Sequence, residues 1–377
     1  MIYLVIPKNK RKNMLINIAT ANPPYKVSQI KATEELKKRM AVRPAVARMI
    51  DAASAHSGID FRYFVVPDGD EESKEKFYST NGEYIKPGTQ RRMLEYEKWS
   101  KELTKTAVRK LLDESNVDPS QINRLITISC TGFFAPGLDH YLMTEFGIPL
   151  SARRTNVGFM GCAASLIGFN SVLEAINSSN EKEVNALVVS VELCSLHLQT
   201  DATRDNILAN MIFADGSAAA LFSNSPRLEE KKRMNLLSAD SIMFENTSEF
   251  MGWKIGDFGF EMMLSSELPK IILEKAIPAL QHILSLYGLS PGQVHHWVLH
   301  PGGRAILDSL QSGLNLSEDK MEPSRNVLRN YGNMSSASIL FVLKELINAG
   351  VVNKDEYCCA VAFGPGLTME VAMFKGA

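Results

Sequence analysis

Short apolar runs alternate along the chain with stretches in which apolar positions return every three or four residues. The first run, Leu15–Ala21, reads as a strand and is ended by Asn22-Pro23-Pro24. Residues 28–56 carry helical spacing with a break near Pro44, and 89–115 form a long amphipathic pattern closed by Asn116 and Asp118-Pro119. Between them, 67–88 is charged and Gly-bearing, the signature of an excursion over the surface. Arg124–Ser129 shows little alternation and a β-branched bias, which predicts a strand buried on both faces. Helices follow at 135–147 and 162–178, the latter closed by a polar Ser-Ser-Asn stretch. Ala186–Val191 and Ser217–Phe222 read as two further buried strands. Ser223–Asn235 is charged and holds a Pro, so it reads as a linker between an N-terminal half, 1–225, and a C-terminal half, 236–377. The second half repeats this alternation, with strands at 236–244, 295–300, 357–363 and 367–374, and helices at 266–288, 302–314 and 334–349. Strands flanked by helices predict α/β layers.

One short pattern occurs twice. Asn156-Val157-Gly158-Phe159-Met160-Gly161-Cys162-Ala163 is matched by Asn330-Tyr331-Gly332-Asn333-Met334-Ser335-Ser336-Ala337, an offset of 174 residues from Asn156 to Asn330. At the same offset Ala186–Val191 faces Ala360–Phe363, and at a similar one Ile126–Gly132 faces Trp297–Gly303. The chain therefore reads as two related halves, one offering Cys162 and the other His300 and Asn333 at equivalent turns.

Composition narrows the function. With 377 residues and 45% hydrophobic content the chain can bury a sizeable core. Its 41 basic and 42 acidic residues give no electrostatic footprint for nucleic acid or an anionic membrane. Five cysteines, with no CxxC pair, argue against a zinc site and fit a reducing cytoplasm. The opening MIYLVIPKNKRKN has a short apolar stretch with its basic residues after it, the wrong order for a signal peptide. No apolar run is long enough to span a membrane.

Cys162 directly precedes an apolar helical run. A thiol at a helix N-terminus meets unpaired amides and the positive end of the dipole, which favour the thiolate. Gly158 and Gly161 permit a sharp turn and close backbone approach. His300 ends a strand before Pro301-Gly302-Gly303, and Asn333 opens a helix. Taken singly, each also fits a plain structural role: a buried thiol, a core histidine, an N-cap.

The segments GFMGCAAS, LHPGGRAILD, RNYGNMSSASILFVL and AFGPGLTMEVAMF together resemble the type III polyketide synthases, the chalcone-synthase-like enzymes. The resemblance runs from about residue 14 to the C-terminus. It implies the thiolase fold, a layered αβαβα arrangement of two pseudo-twofold halves, and a homodimer. The initiating ketoacyl-carrier-protein synthases share a Cys-His-Asn trio. Their His-Gln-Ala-Asn and Gly-Asn-Thr-Ser motifs differ from the His300-Pro301-Gly302-Gly303 and Gly332-Asn333-Met334-Ser335 found here.

By that resemblance Cys162 would hold the acyl chain as a thioester, and His300 would pair with it as imidazolium to thiolate. His300 and Asn333 would stabilise the enolate left when malonyl-CoA loses carbon dioxide. Coenzyme A thioesters would be the only small molecules needed, with no metal and no other cofactor. Phe213 and Met262 match two gate positions between the CoA tunnel and an inner cavity. Cys130, Cys194, His197, Ser335 and Gly364 match cavity positions. Gly302, Gly303 and Ala305 would line the CoA entrance, with Arg48, or Arg43 or Arg62, gripping its phosphates. Ala135 stands where plant enzymes place a methionine that crosses between subunits. Small or soft side chains at Cys130, Ala135, Cys194 and Met262 lead to the expectation of a fatty acyl-CoA starter with two or three malonyl-CoA extensions. Alkylpyrones or alkylresorcinols would result. The alternative is malonyl-CoA as starter and extender, giving tetrahydroxynaphthalene or phloroglucinol products. A non-catalytic acyl-binding partner is the remote alternative, disfavoured by the intact trio.

Overall fold

The computed structural model describes residues 12–40, 43–70, 72–178 and 182–377. The apolar N-terminal segment and most of the Ser-Ser-Asn stretch lie outside them. In chain order the elements are β1 (Met14–Ala21), β2 (Tyr25–Ser28), α1 (Gln29–Arg39), α2 (Pro44–Ala55), β3 (Phe61–Phe64), α3 (Thr89–Ser115), β4 (Arg124–Ser129) and α4 (Leu138–Phe146). Next come β5 (Arg153–Gly158), α5 (Ala164–Ser178), β6 (Asn185–Leu193), α6 (Arg204–Ile212), β7 (Asp215–Ser223), β8 (Met234–Met243), β9 (Met251–Gly256) and β10 (Gly259–Leu264). Leu268–Ile271, a π turn at Ile272–Ala276 and Ile277–Leu286 run on as one helix, α7. Then follow β11 (His296–Leu299), α8 (Arg304–Leu314), α9 (Glu318–Tyr331), α10 (Ser338–Ala349), β12 (Tyr357–Gly364) and β13 (Thr368–Gly376).

Nine strands form one sheet in the order β11-β12-β13-β8-β1-β7-β6-β4-β5. The order is palindromic about the junction of β1 and β8. To one side lie β7, β6 and β4; to the other lie β13, β12 and β11. The junction is short, pairing Met14 with Asn235 and Leu15 with Met234. On each side two parallel strands, β4 with β6 and β11 with β12, are followed by an antiparallel one. Each half is thus the same βαβ-derived unit, as the sequence repeat implies.

Strand side chains alternate between faces, and here the alternation separates three cores. Ala186 and Val188 of β6, with Ala360 and Ala362 of β12, face a shared central layer. Their neighbours Leu187 and Val189 face an outer core of the first half, against α3. Val361 and Phe363 face an outer core of the second half. Helices α5 and α10 fill the central layer, with Phe169 of α5 packed edge-on to Phe222 at 4.8 Å. Full burial of such a side chain contributes roughly 1.5–3 kcal/mol. The result is the αβαβα layering of the thiolase fold.

Several elements have no counterpart in the hydrophobic pattern, the short strands β2 and β3 among them. β5 is an edge strand whose residues are mostly exposed, so no apolar run marks it. The β9–β10 hairpin is only half-buried. α6 carries almost no apolar stripe, and α9 is polar and holds Pro323. The segment 67–88 is less of a surface excursion than its charge implies. Phe77 and Tyr78 are buried, and both their N–H groups donate to Asp68 at 2.9 Å. The stretch read as a linker holds the end of β7, a 3-10 turn at Pro226–Lys231 and the start of β8.

Candidate active site

The end of the repeated pattern folds the same way twice, though one copy leaves a strand and the other a helix. After β5 the chain turns through Phe159 and Gly161, both at positive φ, into a 3-10 turn at Gly161–Ala163 and then α5. In the second half Ser335 takes the place and the positive φ of Gly161, and a 3-10 turn at Ser335–Ala337 leads into α10. Gly161 is required twice over. Its φ is +67°, and a Cβ there would stand 2.2 Å from Pro365 Cδ. The turn sets Cys162 where the unpaired amides of α5 begin.

His300 follows β11, its N–H bonded to Val361 O at 2.9 Å. Both of its ring nitrogens are buried without a partner among the described residues. The Asn333 amide is fixed at both ends. Nδ2 donates to Gly302 O at 3.2 Å, and Oδ1 accepts the Ser335 N–H at 2.8 Å.

Cys162, His300 and Asn333 line one cavity of about 280 Å³, together with Phe213, Met262, Gly302, Gly303 and Ala305. Phe213 and Met262 also line a second cavity of about 100 Å³, whose wall includes Cys194, His197, Trp253 and Phe260. The two side chains therefore stand at the boundary between the cavities.

The remaining sequence-derived residues fall around this centre. The Ser335 and Asn333 side chains lie close enough to the Cys162 thiol to favour its ionised form. Cys130 lies behind the nucleophile's turn, its Sγ accepting the Gly161 N–H at 3.0 Å. Gly364 packs under the same turn, where a Cβ would come within 2.8 Å of Met160 O. His197 is a wall of the second cavity. Its Nδ1 accepts the Phe260 N–H at 2.9 Å, its Nε2 bonds Thr131 O at 2.7 Å, and its ring stacks on Phe260. Arg48 lies exposed on α2 and lines neither cavity, while Arg204, Arg304 and His56 line the first. Arg62 is buried instead, its Nη1 donating to the carbonyls of Asn210 and Phe213, both at 2.7 Å.

Glu192 is a site residue that the sequence motifs do not mark. It is wholly buried on β6 and accepts from Cys130 N–H at 3.0 Å, Thr131 Oγ1 at 2.8 Å and the Ser336 hydroxyl. Burial pushes its carboxyl up to about 7. A lone acid inside an otherwise apolar strand was the available signal.

All three members of the trio are buried. Burial pushes the Cys162 thiol up to about 12, with the neighbouring Ser335 and Asn333 side chains pulling the other way. Burial alone holds the His300 imidazole down to about 3. Each group by itself would be neutral, so a thiolate can form here only with a counter-charge beside it.

The chain's relatives carry the same architecture. Residues 235–377 match the family of chalcone and stilbene synthases, C-terminal domain, and residues 75–242 match the FAE1/type III polyketide synthase-like proteins. The 1,3,6,8-tetrahydroxynaphthalene synthase of Streptomyces coelicolor is 30% identical over 288 residues, 76% of this chain and 75% of its own. The alpha-pyrone synthesis polyketide synthase-like Pks18 of Mycobacterium tuberculosis is 31% identical over 258 residues, 68% of this chain and 65% of its own. The crystal structure of PKS-I from the brown alga Ectocarpus siliculosus superposes with a TM-score of 0.90 at 28% identity, covering 98% of this chain and all of that one. With the repeat, the thiolase layering and these relatives in agreement, the chain belongs to the type III polyketide synthases.

Proposed function

We propose that the protein is a malonyl-CoA-dependent acyltransferase that loads a fatty acyl starter on Cys162, extends it two or three times and releases alkylpyrones or alkylresorcinols. The observation that carries this reading is the convergence of Cys162, His300 and Asn333 on one cavity that borders a largely apolar second cavity at Phe213 and Met262.

In this mechanism His300 takes the Cys162 proton, giving an imidazolium–thiolate pair in which each charge offsets the other's burial. The sulfur attacks the starter thioester, and the CoA thiolate leaves with the proton. Malonyl-CoA then enters the same cavity. As carbon dioxide departs, its electron pair becomes an enolate whose oxygen accepts hydrogen bonds from His300 and the Asn333 amide. The enolate carbon attacks the Cys162 thioester and expels the thiolate. The chain, two carbons longer and now on CoA, returns to the cysteine. CoA thioesters suffice, with no metal and no further cofactor. Arg204, Arg304 and His56, at the rim of the first cavity, take the phosphate-binding role that the sequence suggests for Arg48.

The reading includes a homodimer. β5 pairs only with β4, leaving an open sheet edge. Leu150 beside it is 89% exposed, and Phe133 and Met160 are exposed nearby. Among the described residues no helix is long and apolar enough to cross a membrane.

A second reading, malonyl-CoA as both starter and extender, is favoured by Trp253, whose indole occupies the wall of the smaller cavity. Incubation with an acyl-CoA panel and carbon-labelled malonyl-CoA separates the two. Products holding the acyl chain plus labelled two-carbon units support the first reading. Products built from label alone establish the second.

A further inference from the structure

The cavity behind Phe213 and Met262 runs along α1. Ala32, Glu35, Leu36 and Arg39 line it at i, i+3, i+4 and i+7, so one face of that helix forms its wall for about two turns, roughly 10 Å. Asn206, Ala209 and Asn210 of α6 line it as well. Most of the wall is apolar, including Val27, Phe64 and Val66.

At the Arg39 end of α1 the character changes. The Arg39 side chain is only 6% exposed, and Nη2 donates to Asp68 Oδ1 at 3.1 Å. Its guanidinium lies over the rings of Tyr78 and Tyr84, at 5.5 and 5.0 Å from their centroids. Asp68 is fully engaged, since it also takes the N–H groups of Phe77 and Tyr78. The other arm of the guanidinium, Nη1, is buried and has no acceptor among the described residues. An ion pair kept only for structure places each buried donor against an acceptor. Here Arg39 Nη1 is left over in a residue of the cavity wall, as is Arg62 Nε nearer Phe213 in the same wall.

We propose that Arg39 Nη1 is a specificity-determining donor for the far end of the acyl chain, so that the preferred starter is an acyl-CoA bearing a hydroxyl or keto oxygen at that end. The proposal rests on the acyl-starter reading above. A neutral oxygen suits the site better than a carboxylate. Asp68 already balances the Arg39 charge, Glu35 lines the same wall, and Arg62 Nη1 is held by the backbone carbonyls of Asn210 and Phe213. A plain methyl terminus would cover the free donor without pairing it, and buried donors discriminate strongly against such analogues.

The test is the efficiency of Cys162 acylation, read by intact-protein mass spectrometry. Matched ω-hydroxy and unsubstituted acyl-CoAs from octanoyl to hexadecanoyl are compared on the wild type, Arg39→Met and Arg39→Lys. At the chain length that reaches Arg39, the wild type should load the hydroxylated chain about tenfold more efficiently. Arg39→Met should erase that preference, Arg39→Lys should retain part of it, and an ω-carboxylate should gain less than the hydroxyl. Equal loading at every length, or a preference that survives in Arg39→Met, overturns the assignment. If Arg39→Met does not fold, the wild-type ratio and its dependence on chain length still decide. Failure of both chains to load overturns the acyl-starter reading itself, whereas equal loading overturns the role of Arg39 alone.

Discussion

Phe213 and Asn333 sit opposite each other in a parallel backbone bridge, Asn333 bonding to both chain neighbours of Phe213. The Asn333 N–H donates to Ile212 O and the Ala214 N–H donates to Asn333 O, both at 2.8 Å. Arg62 holds the Phe213 carbonyl from behind at 2.7 Å. The residue at the cavity boundary and the amide beside the nucleophile are therefore one mechanical unit. A substitution at Phe213 would disturb both chemistry and cavity size.

Met262 borders the same two cavities without sharing that bridge, so it is the cleaner place to change the passage. Met262→Phe should leave stability within about 1.5 kcal/mol, because it exchanges one large apolar side chain for another. It should shift the product spectrum toward shorter starters. An unchanged spectrum, read by mass spectrometry, would show that Met262 does not limit the passage.

The ionisation of Cys162 gives a pH prediction. Burial pushes the thiol up to about 12, so any thiolate at neutral pH depends on the His300 counter-charge. In the wild type the rate of iodoacetamide alkylation at Cys162 should already be near its plateau at pH 7. In His300→Ala the thiol loses its partner, and the rate should still be climbing at pH 9, roughly tenfold per unit. Parallel profiles for the two proteins would remove His300 from this role.

Gly161 ties the nucleophile's turn to the loop ending β12. Gly161→Ala puts a side chain at φ +67° and 2.2 Å from Pro365 Cδ. Strain and overpacking together should cost about 2–4 kcal/mol and displace Cys162. Denaturant melts and alkylation rates would both register the change. A variant as stable and as reactive as the wild type would mean the turn relaxes freely.

Much of this is legible in the sequence because burial on both faces writes itself into composition. β4, β6, β12 and β13 are apolar runs that only a covered sheet accommodates. The duplicated turn points to Cys162 and Asn333 through its glycines and its helix-opening position. What stays hidden are elements held by tertiary context. β5 is exposed along most of its length, α6 carries its apolar residues without periodicity, and α9 tolerates Pro323 within its second turn. The resemblance suggests Arg48 for phosphate binding; it is exposed on α2 and lines neither cavity. The cavity is lined by Arg304, which stands within the LHPGGRAILD segment without being marked by it, and by Arg204, which no motif contains. Arg39 and Asp68 are far apart in the sequence, and only the fold reveals them as a buried pair.

Glu192 supplies a stability prediction. Its carboxyl is raised by burial from an ordinary 4.5 to about 7. The folded state therefore holds the proton more tightly than the unfolded chain does. Stability that this group allows in acid is lost as pH rises from about 4.5 through 7, where the buried carboxylate must ionise. Glu192→Gln removes that titration. From pH 5 to pH 8 the wild-type Tm should fall relative to the variant by several degrees. A constant difference between the two melting curves would show that Glu192 is ionised in the folded protein throughout.

The most direct test of the whole account is to catch the chain on the enzyme. The protein would be mixed with an acyl-CoA and carbon-labelled malonyl-CoA, quenched within a turnover and digested, and the Cys162 peptide weighed. The account predicts the acyl group on Cys162, followed by species heavier by successive labelled two-carbon units, and none on Cys162→Ala. Acyl groups on another cysteine, or a Cys162 adduct that never grows, would contradict it.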